Sequence, residues 1–261
     1  MSSDTHLIDD EKVKAGLSDV LSRYPKVRPE LSPRMAEIHK LELRKNRERE
    51  TFLSVISNAL EGWMHRQIIL SDVPGETLEI GAGTLNHFRH EIPAADAPYD
   101  AVEPFAELYQ GKQVLKHVRD MYADIADIPA ERTYDRVFSI ATLEHLTHLP
   151  EVVAAAALRL KPGGVFLSGI PSEGGFLWGL SWRISTGLAF RLKTGLDWSE
   201  HMAFEHVNTA PEILEVLHLI FREVEVRRFP TWLHHLSLYA HIEARNPDLD
   251  LCRQICDAAQ D

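Results

Sequence analysis

Apolar positions fall into two regimes along the chain. Up to Leu70 they recur every three to four residues, as in Phe52, Ile56, Ala59 and Trp63, with Gln67 continuing the row, and no convincing strand interrupts them. The spacing predicts helices over Asp9 to Tyr24 and Pro33 to Leu70, the second opened by Ser32 as cap and Pro33 in its first turn. Arg34, Lys40, Arg44, Lys45, Arg47 and Arg49 make the early turns of that helix basic, which reads as a solvated face opposite a packed one. From Val73 onward the pattern changes. After a Pro74-Gly75 turn, short β-type runs alternate with helical stretches: Thr77 to Ile80, Tyr99 to Val102, His117 to Tyr122, Arg136 to Ile140, Val165 to Ile170, Glu223 to Phe229 and Ser237 to Ile242. This alternation predicts an α/β fold built on a doubly wound, seven-stranded sheet.

The helix from Pro150 to Leu160 is expected to stop at Lys161-Pro162-Gly163-Gly164, and the helix from Pro211 to Phe221 to start at a Thr209-x-x-Glu212 capping box. One stretch breaks the alternation. Residues 172–208 follow the C-terminal end of the fifth strand, hold Trp178, Trp182 and Trp198, and read as an inserted lid or partner surface. The expected organisation is a helical cap over 1–72, a core over 73–246 carrying the lid, and a helical tail over 247–261.

The formal charge of −11 repels phosphate backbones and argues against a nucleic-acid binder. Cys252 and Cys256, four apart in a predicted helix, are poorly placed to bond each other and read as free thiols of a cytoplasmic protein. The opening twelve residues carry four acids, unlike a secretory signal, and no uncharged apolar run reaches the roughly 18 residues of a membrane span.

Glu79-Ile80-Gly81-Ala82-Gly83 closes the first strand with two glycines, which permit a tight turn and close approach of a ligand to the backbone. Glu103 ends the second strand 22 residues after Gly81, where a carboxylate can accept both hydroxyls of a ribose. An adenosine-containing cofactor is implied. The dinucleotide fingerprint also requires a glycine at position 86, and Asn86 stands there, which counts against NAD or FAD.

With these residues the chain resembles the class I S-adenosylmethionine-dependent methyltransferases. The resemblance rests on Leu78 to Gly83, Val102-Glu103-Pro104, Ala123-Asp124-Ile125 with Ile128-Pro129, Tyr134 to Ser139, and Leu158 to Gly164. It implies a Rossmann-like, mostly parallel sheet closed by an antiparallel hairpin, and S-adenosyl-L-methionine as cofactor. It places Gly81, Ala82 and Gly83 under the methionine moiety, Glu103 with Pro104 at the ribose, Asp124 on the adenine amino group and Ile125 against the ring. Glu79 would face the ammonium or position the loop.

A sulfonium methyl is already activated, so alignment and exclusion of water can suffice, and a hydroxyl acceptor additionally benefits from a base near neutral pKa. His145, with Glu144 after the fourth strand, and His206, before the capping box, stand where the family places acceptor-side groups; His201 and Glu205 are second choices. Some relatives in ubiquinone synthesis carry an acid-x-x-acid-His run here that holds a divalent cation. This chain has Ala141 in place of the first acid, and the two remaining ligands predict no metal.

Ser139-Ile140-Ala141-Thr142 lacks the motif that cradles a nucleobase amino group, which leaves small molecules ahead of DNA or RNA. In the lid, either Trp178 walls the site and Arg183 and Arg191 meet an anionic acceptor, or the aromatics are buried against the N-terminal helices and the cations are solvated; Asn208 is expected to contact substrate. The lid also resembles that of methyltransferases of bacterial surface-polysaccharide pathways, in Ile170 to Gly175 and Phe204 to Asn208. The reading is O-methylation of a small polar, phosphorylated or sugar-linked metabolite. Its rivals are an N-methyltransferase, a lipid or quinone O-methyltransferase whose Phe176 to Leu192 helix lies on a membrane surface, and a silent cofactor-binding regulator. The small-molecule acceptor is preferred to the membrane surface, and the oligomeric state is left open.

Overall fold

The computed structural model describes residues 17–45, 62–94 and 96–259. The predicted helical residues 9–16 and 46–61 lie outside them, with Phe52, Ile56, Ala59, Arg47 and Arg49. Within them, helical residues 17–22 (α1), Pro33–Lys45 (α2) and 62–70 (α3) precede the sheet.

Seven strands form one sheet in the order β3-β2-β1-β4-β5-β7-β6: Thr77–Ile80 (β1), Tyr99–Val102 (β2), Met121–Tyr122 (β3), Tyr134–Ile140 (β4), Leu160–Pro171 (β5), Phe221–Phe229 (β6) and Tyr239–Pro247 (β7). β1 to β5 run parallel, and β7 inserts antiparallel between β5 and β6. The helices between and after the strands are Ala106–Tyr109 (α4), Leu149–Leu158 (α5), Phe176–Trp182 (α6), Leu188–Thr194 (α7), Trp198–Glu205 (α8), Ala210–Ile220 (α9) and Leu249–Ala258 (α10).

Every residue of β1 and β2 is buried, as strands covered on both faces must be. On one face Leu78, Val137 and Phe166 meet Val153 of α5 and Ile213 and Leu217 of α9. On the other, Tyr99, Phe138 and Leu167 meet Met64 and Ile68 of α3, so the end of the N-terminal helical region is part of the sheet's covering. Each such fully buried aliphatic side chain contributes about 1.5–3 kcal/mol. Met64 fits so closely that a Cβ on Gly169 of β5 would lie 2.8 Å from its own Cβ.

Several boundaries differ from the sequence expectation. The third strand is only Met121–Tyr122, because Gln113–His117 winds into a 3-10 turn and β3 pairs with β2 at just two positions. α5 ends at Leu158, and Lys161-Pro162-Gly163-Gly164 lies inside β5 at an irregularity in its pairing with β4, where Gly163 has φ +80°. β7 runs to Pro247, five residues beyond the expected end, because β6 continues to pair with it down to Phe221. The Thr209–Glu212 capping box forms as expected, with the Glu212 carboxylate accepting the Thr209 N–H at 2.8 Å. Cys252 and Cys256 of α10 are free thiols, and burial pushes Cys252 up to about 12.

The C-terminal ends of β1 to β5 share one edge of the sheet. Gly81, Glu103, Asp124, Ala141 to His145, and Glu173 all leave from it, at the place where open α/β sheets receive ligands.

Candidate active site

The β1 loop turns through two glycines in the left-handed region, Gly81 at φ +73° and Gly83 at φ +51°. A Cβ on Gly81 would lie 2.3 Å from Thr142 Cγ2, so the loop rests directly on the segment following β4. A Cβ on Gly83 would meet nothing within 4 Å, which leaves the backbone there open to close approach. The Gly83 N–H instead donates to Glu103 Oε2 at 2.8 Å, while Glu103 Oε1 accepts the Phe105 N–H at 3.0 Å. Glu103 is buried, and a carboxylate with one bond on each oxygen retains lone pairs for two hydroxyls.

The other cofactor-side expectations meet mixed surroundings. Asp124 is the N-cap of the 3-10 turn Ile125–Asp127; its Oδ1 accepts the Ala126 N–H at 2.9 Å. Ile125 is buried in the core, and both residues border a cleft of about 780 Å³ reaching to Leu146, α5 and Cys256. Glu79 lies on the sheet's second face, where its Oε2 accepts the Tyr99 hydroxyl at 2.6 Å. Burial pushes Glu79 up to about 8, against the pull of Tyr99 and Arg136. The structure thus gives Glu79 an interior partner, Tyr99.

Beyond β4 the chain passes through Ala141, a non-glycine at φ 49°, into the 3-10 turn Leu143–His145. The run 206–208 is pinned to this turn. Glu144 O accepts the N–H groups of Val207 and Asn208, and the Asn208 side chain donates to Leu143 O and Leu146 O. Asn208 is fully buried: its NH2 group holds the two loops together, and its Oδ1 has no protein partner. The result sets His145 and His206 edge to face, ring centroids 4.9 Å apart, beside buried Glu144.

Both imidazoles are oriented through Nδ1. His145 Nδ1 lies 2.9 Å from the Glu205 carbonyl, which can only accept, so Nδ1 carries the proton and Nε2 has the free lone pair. His206 Nδ1 lies 2.8 Å from Glu173 Oε2, which also accepts the Trp178 Nε1–H at 2.6 Å. Trp178 is nearly parallel to His206 at 6.3 Å and packs on Tyr239, which puts its indole beside the histidine cluster. Burial disfavours the charged form of His145, but Glu205 and Glu144 outweigh it and hold this group above the ordinary imidazole value. Burial raises the Glu144 carboxyl, whose Oε2 has no protein partner.

His201 does not join this cluster. It lies on α8 against Trp198, grouped with His39 of α2 and Glu205, and burial lowers its pKa. Glu205 links the two groups, one oxygen 3.4 Å from His39 and the other 3.5 Å from His145. Of the two readings of the lid cations, the structure agrees with the solvated one: Arg183 and Arg191 are both exposed on the outside of the lid, and Arg183 folds back to Gly179 O and over Trp182. A 3.6-residue helix turns these cations away whenever it turns Trp178 inward.

Sequence reasoning missed Arg28. Its guanidinium donates to His145 O at 2.6 Å, to Glu205 O at 3.2 Å and to Phe204 O, tying the segment before α2 to both halves of the histidine cluster. No local pattern could reveal it, since its partners are backbone carbonyls over a hundred residues away. Replacing Arg28 with Ala is expected to lower kcat about ten- to a hundred-fold by loosening His145, with cofactor affinity unchanged. Arg28→Lys should restore only part, because an ammonium lacks the planar fork. Steady-state kinetics beside a calorimetric titration checks both points.

The methyltransferase-domain family model matches residues 47–211. No curated protein matches the sequence. In fold, the chain is similar to the DhpI–SAM–HEP complex, with a TM-score of 0.53 at 16% identity over 83% of this chain and 100% of that one. The DhpI–SAH complex gives 0.51 at 17% identity over 90% and 97%. N-methyltransferase NodS from Bradyrhizobium japonicum WM9 gives 0.48 at 16% identity over 73% and 98%. The family match covers well over half of the chain, and its sheet edge keeps an open glycine turn beside a buried acid: the protein belongs to the methyltransferase-domain family and is an S-adenosylmethionine-dependent methyltransferase.

Proposed function

We propose that the enzyme methylates an oxygen of a small polar acceptor, with the His145–His206 pair receiving the hydroxyl proton. The observation that carries this reading is the locked Nδ1–H of both rings, which leaves two basic Nε2 atoms beside a buried carboxylate at the sheet edge. S-adenosylmethionine supplies a methyl group on a sulfonium, activated for in-line attack. Gly81, Ala82 and Gly83 would hold its methionine part, Glu103 and Pro104 the ribose, and Asp124 and Ile125 the adenine. Thr142, against Gly81, connects that side directly to the Leu143–His145 turn. Trp178 excludes water from the histidines, and Glu173 and Glu205 stabilise the imidazolium that forms.

With Arg183 and Arg191 outside, the support for an anionic acceptor is reduced to the lid's resemblance to surface-polysaccharide enzymes. The test is incubation with methyl-labelled cofactor and a panel of sugar, phenol and amine acceptors, with products identified by mass and fragmentation. Methyl ethers formed in a reaction that depends on His145 support the reading, and methylation confined to amines overturns it.

One observation favours a second reading. Glu144, His145 and His206 each offer an atom within 4.8 Å of the others, and Glu173 and Glu205 back the histidines as carboxylates do behind metal-bound imidazoles. The fold thus adds His206 to the two ligands visible around Ala141. Dialysis against a chelator decides: unchanged turnover supports proton transfer, and turnover lost and restored by a transition-metal ion supports metal.

A further inference from the structure

The helical part of the lid is apolar on both sides. α6, the π-turn Arg183–Gly187 and α7 run without a break over 176–194. The inner side buries Gly187 and Phe190 and sets Trp178 against His206. On the outer side Phe176, Leu180, Ile184, Leu188 and Leu192, spaced four apart, are 66%, 40%, 63%, 50% and 79% exposed. A row at this spacing drifts around a regular α-helix by about 40° per step, and the wider π-turn in its middle cancels part of that drift. A second apolar surface adjoins the first. In the loop between β6 and β7, Trp232, Leu233 and Leu236 are 78%, 41% and 45% exposed, and the loop touches the start of α6, where a Cβ on Gly175 would lie 2.8 Å from His234 O.

Exposed large apolar side chains gathered along one helix face and on the loop beside it mark a contact, and its charge says with what. The chain carries a formal −11, yet 176–194 contains no acid and three exposed cations, Arg183, Arg191 and Lys193; residues 226–242 contain no acid either. A two-fold pairing of copies through this face would bring those cations toward their own counterparts. Anionic lipid headgroups meet both requirements, with apolar side chains below the headgroup level, cations at it and Trp232 at the boundary. No helix among the described residues is long and apolar enough to cross a membrane, so the geometry is that of a helix lying in the surface.

We propose that the outer face of the lid, with the Trp232 loop, docks the enzyme on an anionic bilayer. Docking rests on the reading of the active site in one respect and changes it in another: because Trp178 projects from the same helix onto His206, the hydroxyl methylated would belong to the polar headgroup of an amphiphile and not to a free small molecule.

The experiment is flotation of the full chain with vesicles of phosphatidylcholine alone and of phosphatidylcholine with phosphatidylglycerol. The protein should float with the anionic vesicles and bind the neutral ones about a hundred-fold more weakly, about five-fold for each of the three cations. Ile184→Asp with Leu188→Asp should abolish flotation, and Arg183→Gln with Arg191→Gln should weaken it by about five-fold per cation. Calorimetric titration with S-adenosylhomocysteine should be unchanged in both variants, which shows that they fold and tests the methyltransferase site independently. Absence of flotation with anionic vesicles, or flotation indifferent to the Ile184/Leu188 pair, overturns docking. So does a lipid-free dimer that the same pair converts to monomer, since a second copy then covers the face.

Discussion

Replacing His145 with Gln should lower kcat by about two to four orders of magnitude while leaving the KM for cofactor nearly unchanged. His206→Gln should do the same, and the double variant should cost little more than either single one, because groups that act as a unit are not additive. The rings face each other at 4.9 Å, each with Nδ1 held by a glutamate residue, so loss of one partner disables the proton acceptor as a whole. The pH profile makes the claim specific. Glu205 and Glu144 hold His145 above the ordinary imidazole value, and only the neutral ring can accept a proton. Turnover should therefore fall as pH decreases through a value above about 6.5. Glu205→Gln removes part of what raises His145, so the acid limb should move to lower pH. If kcat survives in both single variants with the limb in place, alignment alone performs the transfer and the histidines are not bases.

How legible these features are depends on the range of the interactions that make them. Strands β1, β2 and β4 announce themselves as short β-type runs between turn and helix signals, even though buried Glu79, Asp100 and Arg136 interrupt their apolar positions, and the Thr209 box because its partners are three residues apart. The ends of β3 and β5 are set by neighbouring strands, and the sequence holds no local record of that pairing. His145 and His206 are visible as residue types at the right strand ends, but their orientation depends on Glu173 and Glu205, brought in by the lid. Arg183, Arg191 and Asn208 show the limit of reading by chemistry. Cations among tryptophans and an amide beside a histidine look ligand-directed, yet helical phase turns the first two outward and the carbonyls of Leu143 and Leu146 take the NH2 group of the third. Glu79 reads as a strand-end carboxylate, and alternation along β1 sets it against Tyr99 on the interior face.

Glu103→Ala should weaken binding of S-adenosylhomocysteine by about ten- to a hundred-fold, the size expected for losing charge-assisted hydrogen bonds at a buried site. The carboxylate has two jobs that the measurement must separate. It ties the Gly83 turn to the start of the β2 loop through the Gly83 and Phe105 N–H groups, and in the proposed complex it accepts the ribose hydroxyls. Without ligand, the variant leaves two N–H donors short of an acceptor, so its melting temperature should fall modestly. With ligand, stabilisation follows the ratio of concentration to Kd, so removing the acceptor of the ribose hydroxyls should shrink the ligand-induced shift as well. Glu103→Gln distinguishes the two further. Its one remaining carbonyl oxygen can still serve one loop amide, but its NH2 faces the other donor and the charge is gone, so affinity should fall between wild type and Ala. A lowered melting temperature with an unchanged ligand-induced shift and an unchanged Kd would make Glu103 a strut between two loops. The ribose assignment would then pass to another group at the β2 edge, and the open turn at Gly83 would have to hold the cofactor without it.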